Sequence, residues 1–471
     1  MISKEKNYYI FLKKRYLFPQ GEFEVKNNFL FFNGIDLNEI IKKYSTPLRI
    51  SFLPKITENI EKSFFLFKKV MSEINYEGEY FYAYCTKTSP FSFILDKMLK
   101  ERFKNFGIEI SSSFDIEIIR NLYKKNIFTK KNFLICNGFK TENYISGILE
   151  LYRKGLKNII TIIDNQDEIY KYNLKSDEKL NIGIRLMTRE NFHPNLKNSR
   201  FGISEKNFFS FYQKNIKNNS KFRLKLLHLF AGSFLFQNEN NFCIEIEKII
   251  NLYCVLKKDG STDLDSINIG GGFPAKFSLD FNFDFEETIF KIINIIYLIC
   301  EKENVKVPNI FTEFGTYTVA ESGAIIASVI GEKNENNKEK WYILNTSFFS
   351  TIPNVCSFNK KYICLPINNW NKSYEEVNIG GLTCDNSDFY NKERNIEELV
   401  LPLKEEKKDL YLGFFNTGAY EEVLGSYSGL QHCLIPSPKH IIIDIKKDGS
   451  FDYFLFKKEQ KEKEILKILG F

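Results

Sequence analysis

Histidine is scarce in this chain: His193, His228, His432 and His440 are the four in 471 residues. A histidine-built metal centre or a nucleophile–histidine triad therefore has little to draw on. Cysteine is present but unpaired in pattern. The nine residues (85, 136, 243, 254, 300, 356, 364, 384 and 433) are odd in number, never spaced C-x-x-C, and several lie in apolar runs. That usage argues for reduced thiols and against a disulfide framework or a zinc site. There is no run of about 18 apolar residues, and Met1-Ile2-Ser3-Lys4-Glu5-Lys6-Asn7 has no apolar signal core. The expectation is a cytoplasmic protein with no membrane partner. No basic block exists either: 66 Lys plus Arg are set against 59 Asp plus Glu along the whole length, for a net +7. Nucleic acid is not an expected partner. Internal repeats and low-complexity tracts are also missing.

What remains is a soluble globular composition, 43% hydrophobic and 27% charged, long enough for two or three domains. Residues 1–45 read as short strands (Tyr8–Leu12, Phe23–Val25, Phe29–Phe32) and a helix near Leu37–Tyr44. Arg49–Phe52 is strand-like and Lys55–Ile74 has helical period. Eight β-type runs follow: Tyr80–Tyr84, Ile108–Ile110, Phe133–Cys136, Ile159–Ile163, Ile182–Leu186, Leu224–Phe230, Ser266–Ile269 and Asn309–Thr312. Helical patterns such as Ser113–Tyr123, Thr141–Lys154, Cys243–Leu256 and Glu286–Glu301 separate most of them. Eight strands alternating with helices over about 250 residues is the arithmetic of a (β/α)8 barrel. A doubly wound sheet is the other arrangement such a period permits.

Beyond Val319 the pattern turns all-β. Ala324–Ile330, Trp341–Asn345, Tyr362–Leu365, Leu399–Leu401, Leu410–Phe414, His440–Asp444 and Phe451–Phe456 are strand-like, and the polar segment Gly331–Lys340 reads as a hairpin tip. The expected organisation is residues 1–45 adding strands to a C-terminal β domain at 321–471, with the barrel at 46–320. Asn191–Ser199 is polar enough for a mobile loop over a site.

Reactive groups in a barrel collect at the carboxyl ends of its strands. The first run ends at Lys87, on the face shared by Cys85, Ala83 and Phe81, and Ala83 leaves room beneath it. A partly desolvated lysine there is a Schiff-base nucleophile; a solvated surface lysine is the plainer reading. Gly270-Gly271-Gly272 follows the seventh run. It can offer backbone amides to an anion, or be a tight loop. Ala231-Gly232-Ser233 can complete the same cradle, though alone it is a turn. Glu313 ends the eighth run, placed for a cationic ring nitrogen or for a structural salt bridge. In the β domain, Gly380-Gly381-Leu382-Thr383-Cys384-Asp385 puts a thiol beside a carboxylate after two glycines. It is a proton donor with a cation-binding group, or a buried thiol at a turn.

These residues, in this order, carry a resemblance. The chain resembles the alanine-racemase-like, fold-type III pyridoxal-phosphate decarboxylases of basic amino acids, and within them the biosynthetic arginine decarboxylases of the Bacteroidetes type. Ile135-Cys136-Asn137-Gly138-Phe139-Lys140-Thr141 and Ser347-Phe348-Phe349-Ser350-Thr351-Ile352-Pro353 are similar to segments of that branch, and Gly418-Ala419-Tyr420-Glu421 to a motif of the wider family. The resemblance covers nearly the whole chain. It implies pyridoxal phosphate as cofactor, with Lys87 forming the Schiff base and Glu313 holding the pyridine nitrogen protonated. Ser233, Gly270, Gly271, Gly272 and Tyr420 would hold the phosphate. Glu109 would line the pocket, Cys384 would reprotonate the decarboxylated carbon, and Asp385 would meet the substrate's distal cation. In the family the Cys-Asp pair reaches the other subunit's cofactor, which implies a homodimer.

Two positions depart from the family pattern. Phe230 stands where the family has a ring-stacking histidine, with His228 one layer deeper, and Thr316 stands where it has an arginine. An aromatic ring at 230 can still stack on the cofactor. The implied reaction is decarboxylation of L-arginine to agmatine in polyamine synthesis. Ornithine, lysine, diaminopimelate or carboxynorspermidine as substrate, or a non-catalytic pyridoxal-phosphate-binding protein, are the competing readings. No metal site is expected, and no residue pattern calls for Mg2+.

Overall fold

The computed structural model describes residues 7–175, 178–188, 199–232, 239–335, 339–396, 398–405 and 408–471. The chain divides into two compact units, Thr57–Pro274 with Phe283–Thr318, and Met1–Ile56 with Ala275–Asn282 and Val319–Phe471.

The first of these is a closed barrel of eight parallel strands: β1 (Tyr80–Cys85), β2 (Phe106–Ile110), β3 (Phe133–Cys136), β4 (Ile159–Ile163), β5 (Leu180–Arg185), β6 (Phe222–His228), β7 (Ser266–Asn268) and β8 (Asn309–Phe314). Each pairs with the next in sequence, and β8 closes on β1 through Glu313 opposite Ala83. The closed ring excludes the doubly wound alternative. Helices form where capping and spacing agree. Ser112 and Asp115 make a capping box for Ser113–Lys124, whose Ile116, Ile119 and Leu122 are buried at three-residue intervals. Asp284 caps Phe285–Glu303, and that helix buries Ile289, Ile292, Ile293 and Ile296.

Inside the ring the side chains lie in layers. Phe81, Phe133 and Phe311 meet low in the barrel, with centroids 4.4 Å apart for Phe81–Phe311 and 5.2 Å for Phe133–Phe311. Ala83, Ile135, Ile162 and Leu226 belong to the same cluster. Alternation along a strand then brings a polar residue to the interior toward each carboxyl end: Asn137 after Ile135, His228 after Leu226, Glu313 after Phe311.

The second unit is a β domain. One path runs Phe389–Tyr390, Asn378–Gly380, Glu339–Leu344, Gly323–Glu335, Leu48–Phe52, Lys439–Ile445 and Phe451–Lys457. Tyr411–Phe415 also pairs with Gly323–Glu335, and Ile363–Pro366 with Tyr411–Phe415. All seven strand-like runs read beyond Val319 are strands. The segment read as a hairpin tip at Gly331–Lys340 lies at the end of an antiparallel hairpin whose ladder runs from Gly331 opposite Ile343 to Glu335 opposite Glu339; residues 336–338 lie outside the described residues. Leu48–Phe52 lies between Gly323–Glu335 and Lys439–Ile445. Phe23–Lys26, Phe29–Phe32 and Ile35–Asp36 form a small sheet of their own that shares a core with this domain.

Tyr8–Leu12 is not a strand. Residues Tyr8–Tyr16 form a helix, capped by the Asn7 side chain, which accepts from the Ile10 amide at 3.2 Å. Tyr8 and Leu12, four apart, are the pair it buries. Aromatic β-propensity lost there to an i, i+4 contact with the core.

The loops above β3 and β4 are joined by a fully buried ion pair. Glu168 accepts the Lys140 amide at 3.1 Å and the Asp164 amide at 3.2 Å, and its Oε2 lies 3.5 Å from Lys140 Nζ. Lys140 Nζ also donates to the Ile162 carbonyl. Burial pushes the Glu168 carboxyl up, against the pull of the Lys140 ammonium. Removing one partner strands the other charge, so Lys140→Met should cost about 3–5 kcal/mol in denaturant unfolding. Adding Glu168→Gln should recover about 1 kcal/mol or more of that, since the remaining group is then neutral. A double variant as unstable as Lys140→Met would contradict the pairing.

Candidate active site

The polar layer at the carboxyl ends of the barrel strands is a connected network. β1 runs into a single 3-10 turn, Thr86–Thr88, which lifts Lys87 to the rim with its side chain 43% exposed. Lys87 Nζ donates to Glu109 Oε2 at 2.7 Å, and Glu109, in β2, is fully buried. Asn137, just past β3, donates through Nδ2 to Glu109 Oε1 and to both oxygens of Glu313, each at 2.9 Å. Asn268, ending β7, donates to Glu313 Oε1 at 2.7 Å, and His228 Nε2 from β6 lies 3.5 Å from Glu313 Oε2. Burial alone would push the Glu313 carboxyl up; His228, Lys87 and the Asn137 amide outweigh it and bring it down to about 2.

The same network reaches the triple-glycine turn. The Gly270 amide donates to Asn268 Oδ1 at 2.9 Å, and the Glu313 amide donates to the Gly270 carbonyl at 2.8 Å. Gly270 has φ +72°, and a Cβ on Gly271 would stand 2.6 Å from the Glu313 carbonyl oxygen, so a side chain at either position is refused. Phe230 stands beside the turn, 40% exposed, with ring and Cα atoms within 3.3 Å of where a Gly270 Cβ would be. Ser233 and most of the Asn191–Ser199 segment lie outside the described residues.

In the β domain the Cys384–Asp385 loop is organised by a residue that sequence reading passed over. Asp388, 4% exposed, accepts from the Thr383 amide (3.1 Å) and hydroxyl (2.7 Å), and from the Phe348 amide (2.8 Å). It thereby ties the Gly380–Gly381 motif to the Ser347–Pro353 segment. Cys384 is exposed, and Asp385 Oδ1 accepts the Ser387 amide at 2.7 Å. Tyr420 has φ +70° and precedes the short helix Glu421–Leu424. Fully buried Glu421 anchors that helix, accepting from Asn354 Nδ2 at 2.6 Å and from the Tyr362 hydroxyl.

Residues 57–320 match the family model described as the pyridoxal-dependent decarboxylase, pyridoxal binding domain. The chain belongs to that family. Among its relatives, a biosynthetic arginine decarboxylase of Prochlorococcus marinus is 23% identical over 96% of this chain and 87% of its own. In fold it is similar to a biosynthetic arginine decarboxylase from Campylobacter jejuni (TM-score 0.80, 20% identity, 100% of this chain and 91% of that one). It is also similar to a diaminopimelate decarboxylase from M. jannaschii (TM-score 0.76, 21% identity, 95% and 97%).

The residues present suit the family's pyridoxal phosphate. A buried carboxylate held ionised can pair with a pyridinium, and the glycine turn leaves backbone exposed where a Cβ would block approach. A half-exposed amine stands at the rim. Asn137, Asn268 and His228 were not assigned from sequence. The available signal was a polar residue ending an otherwise apolar run on the inward parity, as in Phe133-x-Ile135-x-Asn137.

Glu313 also sets a pH dependence. Its carboxyl is lowered from 4.5 to about 2 in the fold. A depressed acid stabilises the folded state in full above its unfolded pKa, and that contribution is lost as pH falls toward the folded value. Urea unfolding of the parent relative to Glu313→Gln should give a difference that is constant from about pH 7 to pH 5 and narrows by about pH 3. A difference that instead moved in the parent's favour as pH fell from about 7 to about 5 would mean a raised carboxyl and contradict the assignment.

Proposed function

We propose that this decarboxylase acts on L-arginine, giving agmatine and carbon dioxide for polyamine synthesis, as a cytoplasmic homodimer. The reading is carried by the Lys87 amine, set 2.7 Å from buried Glu109 on the network that also ionises Glu313. When bound, pyridoxal phosphate acts as the electron sink that lets the substrate carboxylate depart as carbon dioxide.

The chain's own residues then divide the work. Lys87 supplies the amine that anchors the cofactor, and Glu109 fixes its Nζ and takes up or returns its proton. Glu313 keeps the ring nitrogen protonated, and Asn137, Asn268 and His228 aim its carboxylate. Gly270, Gly271, Gly272, Ser233 and Tyr420 hold the phosphate, and the Phe230 ring covers the cofactor face. Cys384 delivers the proton that replaces the lost carboxylate at Cα. Asp385 binds the substrate's distal cation, in this reading from the partner subunit's side of a shared site.

A carboxylate accepts guanidinium and ammonium alike, so Asp385 does not choose the substrate. Arginine is supported by the names of the relatives and by the Cys136–Lys140 and Ser347–Pro353 segments, which are similar to that branch.

Incubation with carboxyl-labelled arginine, ornithine, lysine and diaminopimelate side by side should release labelled carbon dioxide chiefly from arginine. Preference for another of the four would overturn the substrate assignment. Borohydride treatment should fix a pyridoxyl group on the Lys87 peptide, and Lys87→Ala should abolish both that mass and turnover. Cys384→Ala should keep the cofactor absorbance while lowering kcat about a hundredfold. A Cys384→Ala enzyme as fast as the parent would remove the thiol from the mechanism.

A further inference from the structure

Two adjacent residues of the β domain meet two others from far along the chain. Cys384 Sγ lies 3.5 Å from Cys433 Sγ, and Asp385 Oδ2 lies 3.3 Å from His432 Nε2. Neither His432 nor Cys433 has a part in the reaction described above.

The local backbone is shaped for this meeting. Cys433 and Leu434 both have φ +53°, the left-handed region that non-glycine residues seldom occupy. Such a conformation persists where its surroundings impose it. Gln431 is anchored by donation to Ser437 Oγ at 2.5 Å, and the His432 ring meets Phe349 edge-on at 5.3 Å. Phe349 lies in the Ser347–Pro353 segment, so two separate sequence motifs, that segment and Gly380–Asp385, converge on the His432–Cys433 dipeptide.

Asp385 and Cys384 need such support. With its side chain 37% exposed, Asp385 has only Oδ1 secured by its own loop, through the Ser387 amide; His432 secures the other oxygen. Cys384 is exposed and holds no partner of comparable closeness among the described residues besides Cys433. The hydrogen bond with Cys433 raises the Cys384 thiol above its ordinary value, which favours the form that has a proton to give.

We infer that His432 and Cys433 are positioning residues of the Cys384–Asp385 site, His432 aiming the carboxylate that takes the substrate's distal cation and Cys433 holding the Cys384 thiol through their sulfur–sulfur contact. The inference rests on the roles proposed for Cys384 and Asp385 above.

Two measurements on the cofactor-loaded protein test it. In the first, iodoacetamide labelling at Cys384 is followed by peptide mass without substrate. Cys433→Ala should speed labelling several-fold near neutral pH and shift its pH profile downward, with Cys433→Ser intermediate. Unchanged labelling would overturn the role of Cys433. In the second, His432→Ala should raise KM for the basic amino acid several-fold with kcat held, and His432→Gln, which keeps a donor, should restore it. A change in kcat alone, or none, would overturn the role of His432. Labelling reads the thiol pair whether or not Cys384 is the catalytic acid. A fully active Cys384→Ala enzyme would therefore sink the functional reading while leaving the thiol coupling measurable.

Discussion

One side-chain amide, that of Asn137, holds two buried carboxylates together. Glu109 and Glu313 are both inside the barrel, and two anions sharing a dry site raise each other's energy unless donors and cations intervene. Asn137 Nδ2 reaches both acids at 2.9 Å. Lys87 then compensates Glu109, while His228 and Asn268 serve Glu313. The network is closed in the sense that removing any one member leaves a buried charge or donor without its partner. That kind of loss is far costlier than losing a surface pair.

The position of this network follows from the strand period. An inward residue recurs every second position, about 6–7 Å up the barrel. Phe81, Phe133 and Phe311 fill a lower layer, where ring contacts exclude water. Two residues on from Phe311 comes Glu313, and four on from Phe133 comes Asn137. The apolar floor lowers the dielectric beneath the acids and strengthens each hydrogen bond above it. The strand ends next to it carry the glycine turn and the lysine rim.

This layout explains which parts were legible in the sequence. The eight barrel strands alternate with capped, amphipathic helices, so both period and punctuation announce them. Lys87, Glu313 and the glycine turn stand out as reactive types at strand ends, whereas Glu109 was assigned only through the family resemblance. Asn137, Asn268 and Asp388 do not. An asparagine after a strand is ordinary turn chemistry, and its role here comes from neighbours more than a hundred residues away in sequence, as with Asn137 and Glu313. Tyr8–Leu12 was misread for a related reason: its aromatic run favours a strand locally, and packing of Tyr8 and Leu12 decides otherwise. The pairing of Cys384 with Cys433 spans 49 positions and leaves no trace in spacing.

The two departures from the family pattern can be weighed against this geometry. Phe230 and Thr316 each remove a side chain able to carry positive charge. Neither loss touches Glu313, whose ionisation is secured from within the barrel layer by His228, Lys87 and Asn137. The positive charge is missing instead at the rim, near the turn that would receive a phosphate. In the proposed reading the glycine backbone supplies the contact there. Amide donors are independent of side-chain identity, and the Gly270 carbonyl is bonded to the Glu313 amide. A cradle made of backbone and braced by β8 tolerates the loss of an arginine better than one made of side chains. Glu313 and the glycine turn are in this way parts of one braced element, joined through the Glu313 amide and the Gly270 carbonyl.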